Sequence, residues 1–157
     1  MDQIDRLNPY LSFRDGQKEA IQDIINVVDE GHKPIIQLDA GVGAGKSLIL
    51  TVAARRLLEM LGLKRAIYTT PQIKLVEQLR ADNRLNIPCL VGKANYPCSS
   101  YSPDLGITAD TCPLPRQQRK ELCPSCPYEE ARQRFKWAKL GATTLSKLLF
   151  DVTLDPP

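Results

Sequence analysis

Apolar residues early in the chain recur with helical spacing. Ile21, Ile24, Ile25 and Val28 stand at i, i+3, i+4 and i+7, which predicts a helix with one buried face. Ser12-x-x-Asp15 reads as a capping box opening that helix. Gly31 reads as its C-cap, and Pro34 turns the chain toward an extended segment. Ile35-Ile36-Gln37-Leu38 predicts a short buried strand. A second helix then runs to Leu61, with Leu50, Ala53, Leu57 and Leu61 as its inner stripe and Arg55, Arg56 and Glu59 outside. Residues 65–69 predict a second strand. Thr70 caps a third helix that has Pro71 at its first position and Ile73, Val76 and Leu79 along its inner face. Residues 87–91 predict a third strand. The order strand–helix–strand–helix–strand implies an α/β domain with a parallel sheet covered on both faces.

From residue 92 to 127 the texture changes. Pro97, Pro103, Pro113, Pro115, Pro124 and Pro127 break any long element, and four of the five cysteines fall here. So long an irregular stretch needs something other than an apolar core to hold it. Helical spacing returns at Tyr128, Ala131, Phe135 and Ala138. A strand is predicted over 142–145 and a helical turn over 146–150. There is no internal repeat.

The 157 residues suffice for one domain with a core, and the 43% hydrophobic and 25% charged content is that of a globular protein. No apolar run approaches the roughly 20 residues that span a bilayer, and the N-terminus lacks a basic-then-apolar leader. The expectation is a cytoplasmic protein (nuclear in a eukaryote) with no membrane partner, whose cysteines serve metal or chemistry rather than disulfides. Net charge is +3 but uneven. Residues 1–91 hold 12 Lys/Arg against 11 Asp/Glu; residues 92–147 hold 9 against 5. That excess favours a polyanionic partner near the second half.

The octet Ala40-Gly41-Val42-Gly43-Ala44-Gly45-Lys46-Ser47 has the spacing of a phosphate-binding loop. Glycines let successive N–H groups turn toward phosphate oxygens. Lys46 brings a positive charge to the β- and γ-phosphates, and the Ser47 hydroxyl can ligate magnesium. A predicted strand precedes the loop and a helix follows, whose N-terminus favours an anion. Lys46 and Ser47 are therefore the expected catalytic pair, with a nucleoside triphosphate and Mg2+ as ligands.

Cys98, Cys112, Cys123 and Cys126 are spaced x13, x10 and x2. Four thiolates complete either a tetrahedral zinc site or an iron–sulfur cluster. A zinc ribbon offers two C-x-x-C knuckles and here there is one, while uneven spacing suits a cubane. Cys89 stands apart in a strand and reads as a small buried hydrophobe.

Taken together, the phosphate loop and the cysteines resemble the iron–sulfur DNA helicases of superfamily 2, the XPD/DinG type, from about Phe13 to Asp151. Arg14-Asp15-Gly16-Gln17 is similar to the family's R-x-x-Q element, which implies that Gln17 contacts adenine with Arg14 in support. Tyr68-Thr69-Thr70-Pro71 with Gln78-Leu79 resembles motif Ia and implies that Thr70 donates to a strand phosphate. Gly92-Lys93-Ala94-Asn95-Tyr96-Pro97-Cys98 resembles the lead-in to the family's cluster domain, and Cys126-Pro127-Tyr128 its exit.

The resemblance implies a RecA-like P-loop domain, incomplete, carrying an iron–sulfur insertion. Residues 1–91 would be the first part of motor domain 1, 92–130 the insertion and 131–157 the return. ATP would bind at Arg14, Gln17, Ala40, Gly41, Gly43, Ala44, Gly45, Lys46 and Ser47. A 4Fe-4S cluster would bind at Cys98, Cys112, Cys123 and Cys126, and magnesium at Ser47. Single-stranded or forked DNA would lie near Thr70, Lys93 and Tyr96, with Tyr96 or Tyr101 stacking on a base and Arg116, Arg119, Lys120, Arg132 and Arg134 facing it.

Departures from the family are equally specific. A D-E-x-H motif should follow the insertion and does not occur before Pro157; Asp29-Glu30-Gly31-His32 spells a similar tetrapeptide ahead of the loop, with helix periodicity. The expectation is thus the N-terminal part of a helicase motor domain whose second half is a missing partner. It should bind nucleotide weakly and hydrolyse it barely. Three alternatives stand beside it: a zinc-stabilised nucleic-acid-binding module without ATPase activity; a P-loop kinase or other small ATPase, which has no use for the cysteines or the R-x-x-Q element; and a protein-interaction fragment with no catalysis.

Overall fold

The computed structural model describes residues 2–31, 35–101, 103–115, 118, 123 and 125–154. They fall into two units, residues 1–66 with 82–86, and residues 67–81 with 87–157.

In the first unit a short helix, α1 (Gln3–Leu7), is capped by Asp2, whose carboxylate accepts the Ile4 N–H at 3.3 Å. Lys18 then ties it to α2 (Gln17–Asp29), reaching Asp5 at 2.8 Å and Asp2 at 3.3 Å. The inner face of α2 is the predicted one: Ile21, Ile24 and Ile25 are buried and Val28 half-buried. It packs on α3 (Lys46–Met60).

Three details differ from expectation. The capping box does not form: α2 starts after Gly16, and the Gln17 side chain, not Ser12, closes the turn by accepting the Arg14 N–H at 3.0 Å. The inner face of α3 consists of Leu48, Ile49, Val52, Ala53 and Leu58, while Leu50 and Leu61 are exposed. Residues 35–38 form no strand, and Ile35 is 90% exposed. A strand holds only where a neighbour takes its N–H and C=O groups, and among the described residues none pairs with this segment. Gly31 follows α2 in the left-handed region, φ +71°, as a chain-reversing glycine should. His32 and Pro34 lie outside the described residues.

The second unit holds a three-stranded sheet with the order β1-β3-β2, formed by β1 (Ala66–Thr70), β2 (Cys89–Leu90) and β3 (Leu140–Thr144). β2 and β3 run parallel, with Cys89 opposite Ala142 and Leu90 opposite Thr143. The central strand β3 is buried along its whole length. Helices α4 (Ile73–Ala81) and α5 (Pro127–Trp137) pack on β2 and β3. α5 starts with Cys126 as N-cap and Pro127 at its first position.

Gly141 is required for this packing, since a Cβ there would come within 2.7 Å of two Phe135 ring carbons. α6 (Leu145–Leu154) is a full helix rather than the predicted turn. Cys89 is buried as expected, and burial pushes its thiol above the ordinary value, with Arg80 pulling weakly the other way. Among the described residues no helix is long and apolar enough to cross a membrane.

Candidate nucleotide-binding site

The phosphate loop forms at the head of α3. Gly43 and Gly45 take positive φ, +84° and +79°, which no β-carbon-bearing residue adopts without strain. The Gly45 carbonyl then accepts the Leu48 and Ile49 N–H groups at 2.9 and 3.1 Å and starts the helix. The ammonium of Lys46 folds back across the loop, donating to the carbonyls of Ala40 at 2.7 Å and Gly41 at 2.8 Å. Ser47 stands on the first turn, half-buried.

The R-x-x-Q element lies against this loop. Arg14 donates to the Gly43 carbonyl at 3.1 Å, and the Gln17 amide to the Ala44 carbonyl at 2.9 Å. Gln17 is 4% exposed, and its amide nitrogen fills the space that a Cβ on Gly45 would need. Both polar ends of Gln17 are thus committed, one to Arg14 and one to the loop. In this conformation Gln17 braces the loop, with its carbonyl on the Arg14 N–H and its amide on the Ala44 carbonyl. Of the Asp29–His32 tetrapeptide, Asp29 ends α2 and Gly31 follows with φ +71°, while His32 lies outside the described residues.

In the second unit the expected strand contacts are placed differently from one another. Lys93 is exposed, with its ammonium 5.9 Å from the Tyr128 ring centroid. Thr70 is 4% exposed, and its hydroxyl accepts the Gln72 N–H at 3.4 Å. Tyr96 is 5% exposed; its hydroxyl accepts from Arg80 at 3.1 Å and from the Val91 N–H at 3.2 Å. Its ring meets Tyr128 edge-on at 5.4 Å, with the Arg80 guanidinium 5.4 Å from its centroid. Both side chains are buried here: the Thr70 hydroxyl closes a turn onto Gln72 ahead of α4, and Tyr96 links α4 to α5 through Arg80 and Tyr128. Tyr101 is half-buried, Arg134 is exposed, and Arg132 pairs with Glu129 at 3.6 Å. Arg116, Arg119 and Lys120 lie outside the described residues.

The cysteine segment is held by backbone bonds. Residues 96–98 run antiparallel to 107–109, with Cys98 N–H donating to Ile107 at 2.9 Å and Ala109 N–H to Tyr96 at 2.9 Å. The Ser99 hydroxyl reaches the Ser125 carbonyl at 3.0 Å, and Ser100 Oγ lies 2.9 Å from Cys123 Sγ. Cys126 N–H donates to the Cys123 carbonyl at 3.3 Å, closing a tight turn. None of the four cysteines is in a disulfide, and Cys123 and Cys126 are buried. The donor chemistry suits a soft metal or a cluster, but among the described residues no three Cys, His, Asp or Glu side chains converge as a ligand set. As folded here, the thiols do not fit a cluster.

The family profile of the type III restriction enzyme res subunit, ResIII, matches residues 10–104 of the chain. The chain belongs to the ResIII family. No curated protein matches it. The ResIII match begins just before Arg14 and covers the phosphate loop, β1, α4 and β2. It makes the chain a helicase-like domain of superfamily 2, the general class of ATP-dependent nucleic-acid motors, and the mixed α/β architecture with its small parallel sheet fits a RecA-like domain.

Proposed function

We propose that this ResIII domain is the nucleotide-holding part of a DNA helicase motor of the iron–sulfur type. The observation that carries the reading is the latched phosphate loop, with Lys46 at its mouth and Arg14 and Gln17 bracing its carbonyls. The phosphates of ATP would take the Lys46 ammonium from two neutral carbonyls, replacing bonds to uncharged acceptors with bonds to anionic ones. N–H groups over residues 41–47 would cradle the same oxygens, and the Ser47 hydroxyl would face magnesium. Arg14 and Gln17 serve ATP binding by keeping Ala40, Gly41, Gly43, Ala44 and Gly45 in shape. Hydrolysis also needs a general base and charge stabilisation from a second motor half; the reading assigns both to partners outside these 157 residues.

Single-stranded or forked DNA is the proposed track. Lys93 supplies a phosphate contact, while Thr70 and Tyr96 shape the surface beneath it. Cys98, Cys112, Cys123 and Cys126 are the proposed ligands of a 4Fe-4S cluster, supported by their number and by the flanks Gly92–Cys98 and Cys126–Tyr128. A cluster would supply a rigid staple where an apolar core is lacking. Because the thiols do not converge as folded here, loading would require the segment to rearrange. The single tight turn at Cys123–Cys126 favours one second reading, a zinc-stabilised module.

Anaerobic purification followed by iron, sulfide and zinc analysis separates the two. Iron and sulfide near four per chain support the cluster; zinc without sulfide supports the module. Binding of a fluorescent ATP analogue, lost in Lys46→Ala, tests the phosphate loop, and equal affinity in the variant would overturn the nucleotide reading.

A further inference from the structure

We infer that Trp137 is a base-stacking platform for single-stranded nucleic acid. It is the chain's one tryptophan and the last residue of α5, and it is 79% exposed. An indole offers one of the largest apolar surfaces of any side chain and is on average highly buried. The helix has an inner face to hide it on: Tyr128 and Phe135 are buried there, and Phe135 is clamped against Gly141. Trp137 falls off that face. Its backbone is nonetheless fixed, because Ala138 N–H returns to the Phe135 carbonyl at 3.4 Å and β3 starts at Leu140. The result is a bare ring on a firm mount.

Charge identifies the occupant. Residues 131–147 carry Arg132, Arg134, Lys136, Lys139 and Lys147 and no acidic residue. Arg134, Lys136 and Lys139 are exposed, and the Lys136 ammonium stands 5.5 Å from the ring centroid. Arg134 lies one turn back on the same face as Trp137. Cations at a helix C-terminus also suit its dipole, which accounts for the charge but not for the exposed ring. An aromatic face flanked by Lys and Arg is the arrangement that takes a base on the ring and phosphates on the cations. Glu130, two turns back, confines the platform to the last two turns of α5. The inference rests on the nucleic-acid part of the reading above and adds a residue that neither motif Ia nor the cysteine flanks include.

As the sole tryptophan, Trp137 is its own probe. The chain is titrated with an 18-mer of dT, and separately of U, while indole emission and the anisotropy of a fluorescein-labelled oligomer are both followed. Quenching that saturates with the anisotropy is expected, with Trp137→Ala binding on the order of 5- to 150-fold more weakly and Trp137→Phe in between. Removing Lys136 or Lys139 should flatten the salt slope by about 0.7 each. Far-UV circular dichroism checks that each variant is folded. Binding seen by anisotropy with an unquenched indole and an unchanged Trp137→Ala affinity would overturn the inference and leave the helicase reading intact. Binding of neither oligomer would overturn both. A concentration-dependent blue shift without oligomer would assign the surface to a second copy of the chain instead.

Discussion

Replacing Tyr96 with phenylalanine removes one oxygen and leaves the ring. Phe fills the same space and keeps the edge contact with Tyr128, so no cavity term enters. What is lost is the acceptor for two donors. The Val91 N–H lies at a residue that is 1% exposed, and leaving such a donor unsatisfied costs about 1–3 kcal/mol. Arg80 is exposed and can turn to water, so its share is small. For a chain of this length each kcal/mol moves the midpoint by roughly 2–4 °C, giving a fall of about 2–12 °C. The assay is thermal unfolding followed by Trp137 emission, since that indole lies in the same unit as Tyr96. Arg80→Ala should cost much less than Tyr96→Phe, and Tyr96→Ala should cost about 3–5 kcal/mol through the added cavity. A Tyr96→Phe midpoint within 1 °C of the parent would refute the assignment of the hydroxyl as the buried acceptor.

Other expectations follow from the same geometry. Gly45→Ala forces a β-carbon into the left-handed region, at about 1–2 kcal/mol, and displaces the Gln17 amide; affinity for a fluorescent ATP analogue should fall well beyond that of Gly41→Ala, and equal affinities would contradict the latch. Gln17→Glu puts a carboxylate oxygen against the Ala44 carbonyl and should weaken nucleotide binding about tenfold or more, whereas Gln17→Asn, one carbon too short, should lose the latch without adding charge. Cys89, ordinarily near 9.0, is raised by burial, so its neutral form favours the fold: stability should hold below pH ~9 and decline above it, as the unfolded thiol ionises first. Tyr10 adds to this alkaline decline above pH ~10, because burial and then its bond to Asp82 raise it too. Urea titrations at pH 8 and pH 10.5 should therefore differ less in Cys89→Ala than in the parent.

The buried face of α2 was legible because Ile21, Ile24 and Ile25 repeat against polar neighbours at Gln22, Asp23 and Asn26. α3 was misphased because apolar residues crowd adjacent positions, Leu48, Ile49 and Leu50, leaving the period ambiguous. Residues 35–38 look like a strand by composition, yet a strand is a property of a pair, and composition says nothing about the partner. The glycine turn at the head of α3 was legible since its cue is local, three glycines within the five positions before Lys46. Tyr96 and Thr70 were not, because their burial depends on groups such as Arg80 and Tyr128 that only the folded chain brings near. Trp137 left one usable signal, a large aromatic off the stripe of Tyr128, Ala131 and Phe135 in a basic run.

The strand order carries a consequence for how the domain comes into being. Among the described strands β3 is central yet last in sequence, and β1 and β2 flank it without meeting each other. On a ribosome, residues 66–90 therefore wait unpaired until residues 140–144 emerge, which at ~5–20 residues per second is a delay of roughly 3–15 s. Docking of Leu90 against Thr143 then closes the entire cysteine-rich stretch as one loop, and its closure entropy falls due in a single step. The nascent chain thus displays its thiols in an open, accessible loop before the sheet exists. A thiol reagent added in that interval would meet side chains still unconstrained, and one added afterwards would meet them held by the finished fold.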